Sequence, residues 1–136
     1  MEKEHQPMDN DRLPVVIRED DYYLIRSLLE GRSTSDATGM TLLHEMNRAI
    51  VVKREAFPAH AVRLNSRVSI QNLENKTQKV FTIVMPEKAD IRQNRISILS
   101  PMGTALIGFR KGEEVIWQMP GGMKKIKILD VSNATG

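Results

Sequence analysis

Few side chains in this 136-residue chain could do covalent or acid–base chemistry. The absence of Cys removes the thiolate as nucleophile, metal ligand and disulfide partner. The histidines His5, His44 and His60 are far apart in the chain, and Ser100 lacks the glycine pattern of a nucleophile elbow. Two adjacent carboxylate pairs occur, Asp20-Asp21 and Glu113-Glu114. Neighbours at a helix start or on a strand diverge rather than converge on one atom, so these pairs read as capping and solubilising groups. Gly103 and Gly108 have the glycine spacing of a phosphate-binding loop, but Phe109-Arg110 follows where that motif needs Lys and Ser or Thr. The residues therefore point to a protein that is not an enzyme and that carries no metal or cofactor. Lys124, Lys125 and Lys127 form a basic run that could meet phosphate weakly or guard an edge strand against aggregation.

The elements that must position these residues are bounded by composition. Apolar residues make up 40% of the chain and charged residues 27%, enough for one ordinary core, yet only one Trp, two Tyr and three Phe are present. The core must be aliphatic, and an aromatic stacking platform is not expected. Residues 1–59 carry 8 basic and 11 acidic side chains, while 60–136 carry 12 and 6, so the second half is the basic one. The start lacks the basic-then-apolar layout of a secretory signal, and no stretch approaches the roughly 20 apolar residues of a membrane span. A soluble cytoplasmic protein with no membrane partner is expected.

Along the chain, residues 1–13 are polar and aperiodic and read as a disordered lead. Glu19-Asp20-Asp21 suits a helix N-terminus, and Leu24, Ile25, Leu28 and Leu29 supply one apolar stripe for a helix ending near Gly31. Residues 31–39 are turn-forming, after which Thr41 can cap a second helix with a stripe of Leu42, Leu43, Met46, Ala49 and Ile50. Two such helices of about 12 residues would make an antiparallel hairpin about 18 Å long over residues 14–59. From Val62 the period changes to two. Val68 and Ile70 and then residues 80–85 predict a β-hairpin, with further strands at 95–99, 115–119 and 125–131 and a short helix at 103–108. The expected fold is α+β: a helical hairpin followed by a small, mainly antiparallel sheet with one short helix.

One ordered set of motifs is more specific: Ala89-Asp90-Ile91, Ile96-Ser97-Ile98-Leu99-Ser100-Pro101, Ala105-Leu106-Ile107-Gly108 and Pro120-Gly121-Gly122. Over residues 64–131 the sequence resembles the C-terminal domain of the bacterial GreA/GreB transcript-cleavage factors. The opening helix pair, Leu64-Asn65-Ser66-Arg67-Val68 and Asn72-Leu73 resemble the branch known as regulators of nucleoside diphosphate kinase. The resemblance implies an FKBP-like sheet over residues 60–136 that docks on bacterial RNA polymerase at the rim of the secondary channel. It also implies partner contacts at Asp90, Ser100, Pro101, Met102 and Leu106. Cleavage factors bring acidic side chains to the polymerase centre on a long coiled coil, where carboxylates help hold Mg²⁺. Here the hairpin is short, and its tip offers Glu30 and Asp36 with Arg32 opposing their charge. The expectation is a polymerase-docking regulator that does not catalyse cleavage and competes with GreA-like factors. An active cleavage factor, a prolyl isomerase using Phe81, Phe109 and Trp117, and a basic nucleic-acid binder stay open as alternatives.

Overall fold

The computed structural model describes residues 15–30, 37–119 and 122–133. The lead at 1–13, the tip residues Arg32 and Asp36, and the Pro120-Gly121 turn lie outside the described residues. The fold is α+β. A β-branched run builds strand β1, Val16–Arg18, which runs straight into helix α1, Glu19–Glu30. Helix α2, Ala37–Arg48, packs against it and is followed by strand β2, Ile50–Val52. The two short strands pair in parallel, Val16 opposite Ile50 and Arg18 opposite Val52, so both feet of the hairpin are tied together.

A five-stranded sheet follows in the order β5-β4-β3-β7-β6. It comprises β3 (Arg67–Asn72), β4 (Gln78–Val84), β5 (Arg95–Ser97), β6 (Glu114–Met119) and β7 (Gly122–Ser132). All pairings are antiparallel except that of β5, which lies parallel to β4. Helix α3, Pro101–Leu106, packs against α2, β5 and β6. Ile25, Leu29, Leu42 and Met46 of the hairpin share one buried cluster with Leu64, Val68, Ile83, Leu106, Ile126 and Ile128.

Several sequence expectations need correction. Helix α2 starts at Ala37, so Thr41 lies inside it rather than capping it; the burial of Leu42 and Met46 sustains a helix that composition alone would start later. Ile50 belongs to β2, not to the α2 stripe. The inner line of α1 is Asp21, Ile25 and Leu29, spaced by four, whereas Leu24 is 51% exposed. The strand expected at 95–99 ends at Ser97, because Ile98 turns into the core and Ser100 starts α3. The lysine run is not on an edge, since β7 lies between β3 and β6.

The carboxylate pair at the start of α1 has a structural task that sequence reading missed. Asp21 is 1% exposed and receives both arms of the Arg63 guanidinium, Nε at 3.0 Å and Nη2 at 2.8 Å, together with the Leu64 N–H at 3.3 Å. Such a fork fixes orientation as well as distance. Burial pushes the Asp21 carboxyl above its ordinary range, against the opposing hydrogen bond from Arg63. Taking the two charges out of water offsets much of what their attraction returns. Asp20 instead faces outward and is held well below the usual carboxylate range by the hydrogen bonds from Arg18, at 2.8 and 2.6 Å.

Replacing Asp21 by Ala should cost about 3–5 kcal/mol in urea unfolding, because Arg63 is left buried and unpaired. The double change Asp21→Leu, Arg63→Met should recover most of that loss. The depressed Asp20 carboxyl contributes stability above its unfolded value, a contribution lost as pH falls. Asp20→Asn should therefore lower the thermal midpoint slightly at pH 6 and flatten its decline below about pH 4.

Candidate docking site

The residues singled out by motif gather around β5. At its start Asp90 caps a single 3-10 turn, accepting the Arg92 N–H at 3.0 Å and the Gln93 side-chain amide at 3.2 Å, and its backbone bridges to Arg95. The turn closes at Asn94 in the left-handed region, with φ 57°. Past the other end, Ser100 is the N-cap of α3, accepting the Gly103 N–H at 3.1 Å while donating to the Ser97 carbonyl at 2.7 Å. Pro101 occupies the first turn of the helix, where its missing N–H costs nothing. A side chain at Gly103 would collide with the Ser97 carbonyl, and one at Gly108, with φ +84°, would meet Val15 at 2.7 Å. The glycine pair that imitates a phosphate loop is explained by close packing of α3 on β5 and of β1 on the turn after α3.

Ile91 and Met102, each next to one of these capping segments, line a common cleft of about 570 Å³ with Ile70, Lys79, Val80, Phe81, Asn94 and Ile96. Ile91 is 80% exposed, and Met102 is half-buried against the core. Leu106 has no exposed surface: it belongs to the core and leaves the proposed contact patch. Phe81 is the single aromatic among the described residues of this cleft, so the aromatic cluster expected of a prolyl-isomerase pocket is not assembled there.

The three lysines do not form one patch. Lys124 shares a second cleft with Ile70, Lys79, Met102 and Ile126, whereas strand alternation sends Lys125 and Lys127 to the opposite face. Glu30 is exposed and ion-pairs with Arg26 at 3.6 Å. No group of three or more potential metal ligands occurs among the described residues. No helix among them is long and apolar enough to cross a membrane.

The family described as "Transcription elongation factor, GreA/GreB, C-term" matches residues 58–133. The chain belongs to this family. Among relatives of the GreA/GreB protein described here, the regulator of nucleoside diphosphate kinase of Escherichia coli is 31% identical over 116 residues, covering 85% of this chain and 77% of the relative. The transcription elongation factor GreA of Chloroflexus aurantiacus is 36% identical over 106 residues, covering 78% of this chain and 64% of that factor. A solved GreA/GreB structure from Nitrosomonas europaea superposes with a TM-score of 0.75 at 32% identity, covering 90% of this chain and all of that one. Regulation of transcription is thus the setting in which the GreA/GreB sheet and its cleft are to be understood.

Ser100→Ala should lower stability by about 1 kcal/mol through loss of the α3 cap, read as a shift in urea midpoint at constant slope.

Proposed function

We propose that this protein docks on bacterial RNA polymerase at the rim of the secondary channel without catalysing transcript cleavage, and that it competes there with GreA/GreB factors. The observation that carries the reading is the length of the arm. Helices α1 and α2 have 12 residues each and are joined by residues 31–36, so the hairpin extends only about 18 Å beyond its base. At that length Glu30 would stop in the channel mouth, and the connecting sequence supplies one carboxylate, Asp36, and one opposing cation, Arg32.

The docking domain is residues 60–136 and the arm is residues 14–59. Family membership over residues 58–133 supports this division. The contact surface is the pair of capped segments on either side of the cleft: Asp90 for a charge-assisted contact, Ser100-Pro101 as a rigid turn, and Met102 with Ile91 as apolar anchors. Rigid turns suit this work, because a contact held in place beforehand loses little entropy on binding.

Added to backtracked elongation complexes in Mg²⁺, the protein should leave transcript length unchanged and should slow the shortening produced by a GreA-type factor added with it. Shortening at GreA-like rates by this protein alone would refute the reading. The double change Pro101→Arg, Met102→Asp should abolish co-purification with core polymerase while the thermal midpoint stays within a few degrees of the original. Undiminished co-purification would remove this patch from the interface.

A further inference from the structure

Strand β4 is longer than the strand that covers its outer side. Its residues run Gln78–Val84, but β5 pairs only with Thr82, Ile83 and Val84. The ladder fixes where the remaining backbone groups point. Thr82 donates its N–H outward to the Asn94 carbonyl at 2.8 Å, whereas Ile83 donates inward to Ser66 at 3.1 Å. Alternation along the strand then turns the N–H and C=O of Val80 and Gln78 to the same outer side as those of Thr82. Among the described residues, no strand pairs with that stretch.

This open edge is one wall of the cleft. Val80 borders it through the strand edge, Phe81, Ile96 and Met102 line it, and Ile91 is exposed at the rim. Proteins ordinarily blunt such an edge with a bulge, a covering loop or charge. Here the charges are of one sign: Lys79 lines this cleft, Lys79 and Lys124 line the adjoining one, and no carboxylate is among the described lining residues of either.

We propose that the outer edge of β4 at Gln78–Phe81 accepts, by strand addition, an extended segment of a partner protein that carries an apolar and an acidic side chain two residues apart, on the same face. The segment's backbone bonds the Val80 N–H and C=O. Its apolar side chain enters the space beside Phe81, Ile96 and Met102, and the carboxylate two residues along the segment, on the same face, meets Lys79, which is itself two residues from Phe81 on β4. A helix is a poor occupant, because its own backbone groups are already bonded and would leave those of Val80 unpaired. This surface is distinct from the capped turns at Asp90 and Ser100-Pro101 and shares with them only the rim residues Ile91 and Met102.

The test uses the full chain labelled with ¹⁵N and a blocked synthetic peptide, with no polymerase present, so its outcome is independent of the docking proposal. The peptide has threonine at every second position and valine and glutamate taking turns at the positions between, which puts both on one face. At saturating peptide the Val80 amide should move in the spectrum, and its hydrogen exchange should slow about tenfold. The same peptide methylated on the backbone nitrogens that face the edge should not bind, nor should one with lysine in place of glutamate. Lys79→Glu should abolish binding of the acidic peptide; if that variant does not fold, the lysine peptide on the native chain tests the same charge requirement. An unperturbed Val80 amide at millimolar peptide would overturn the proposal. So would equal binding by the methylated peptide, or tighter binding by a helix-stapled version of the same composition.

Discussion

The fork between Arg63 and Asp21 governs the shape of this protein. It joins the first turn of α1 to the segment that leads into β3, residues separated by more than 40 positions in sequence. An apolar contact at that place would hold the two parts together without choosing their relative angle, since hydrophobic burial has no direction. A planar guanidinium against a carboxylate does choose it. The surrounding polar groups keep the Arg63 end in place: the Ser66 hydroxyl accepts the Arg63 N–H at 2.8 Å and also hydrogen-bonds the Asn133 side chain, which in turn donates to the carbonyls of Ala59 and Ala61. The start of the sheet, the end of the sheet and the base of the arm are thus tied at one point.

That arrangement separates two kinds of surface. The arm is packed through Ile25, Leu29, Leu42 and Met46 into the same core as the sheet, so it is a fixed projection. The cleft around Met102 lies at the β4–β5 side of the sheet, bordered by turns whose backbone bonds are satisfied locally by Asp90 and Ser100. Contacts made there can be specific without demanding that the core rearrange.

The alternation of Val68 with Ile70 and of Phe81 with Ile83, and the glycines around α3, made the sheet and its short helix legible in the sequence, because period-two burial leaves a direct trace. The motif residues around β5 were singled out by the family resemblance alone; their capping of local turns, by Asp90 and Ser100, is a finding of the structure. Strands β1 and β2 were not legible. Three residues are too few to show a period, and Ile50 continued the apolar spacing of α2 well enough to be absorbed into it. Nor was the Asp21–Arg63 bridge visible, since two adjacent aspartates at a helix start look like caps whether they face solvent or core, and only the tertiary fold brings Arg63 to one of them. Leu106 shows the converse error, a family-matched position whose full burial reserves it for packing.

The parallel pairing of β1 with β2 has a wider consequence. Because the chain leaves for the arm at Arg18 and returns at Ile50 through one hydrogen-bonded clamp, and Ile25, Leu29, Leu42 and Met46 are seated in the core, only the stretch between Leu29 and Leu42 is open to a change of length. Seven residues inserted after Leu29 and seven before Leu42 would move the tip outward by about 10 Å and leave the buried line, the clamp and the sheet in place. The architecture works as a ruler with an adjustable blade and a constant handle. How far such a protein reaches into its partner can then change separately from where it holds on.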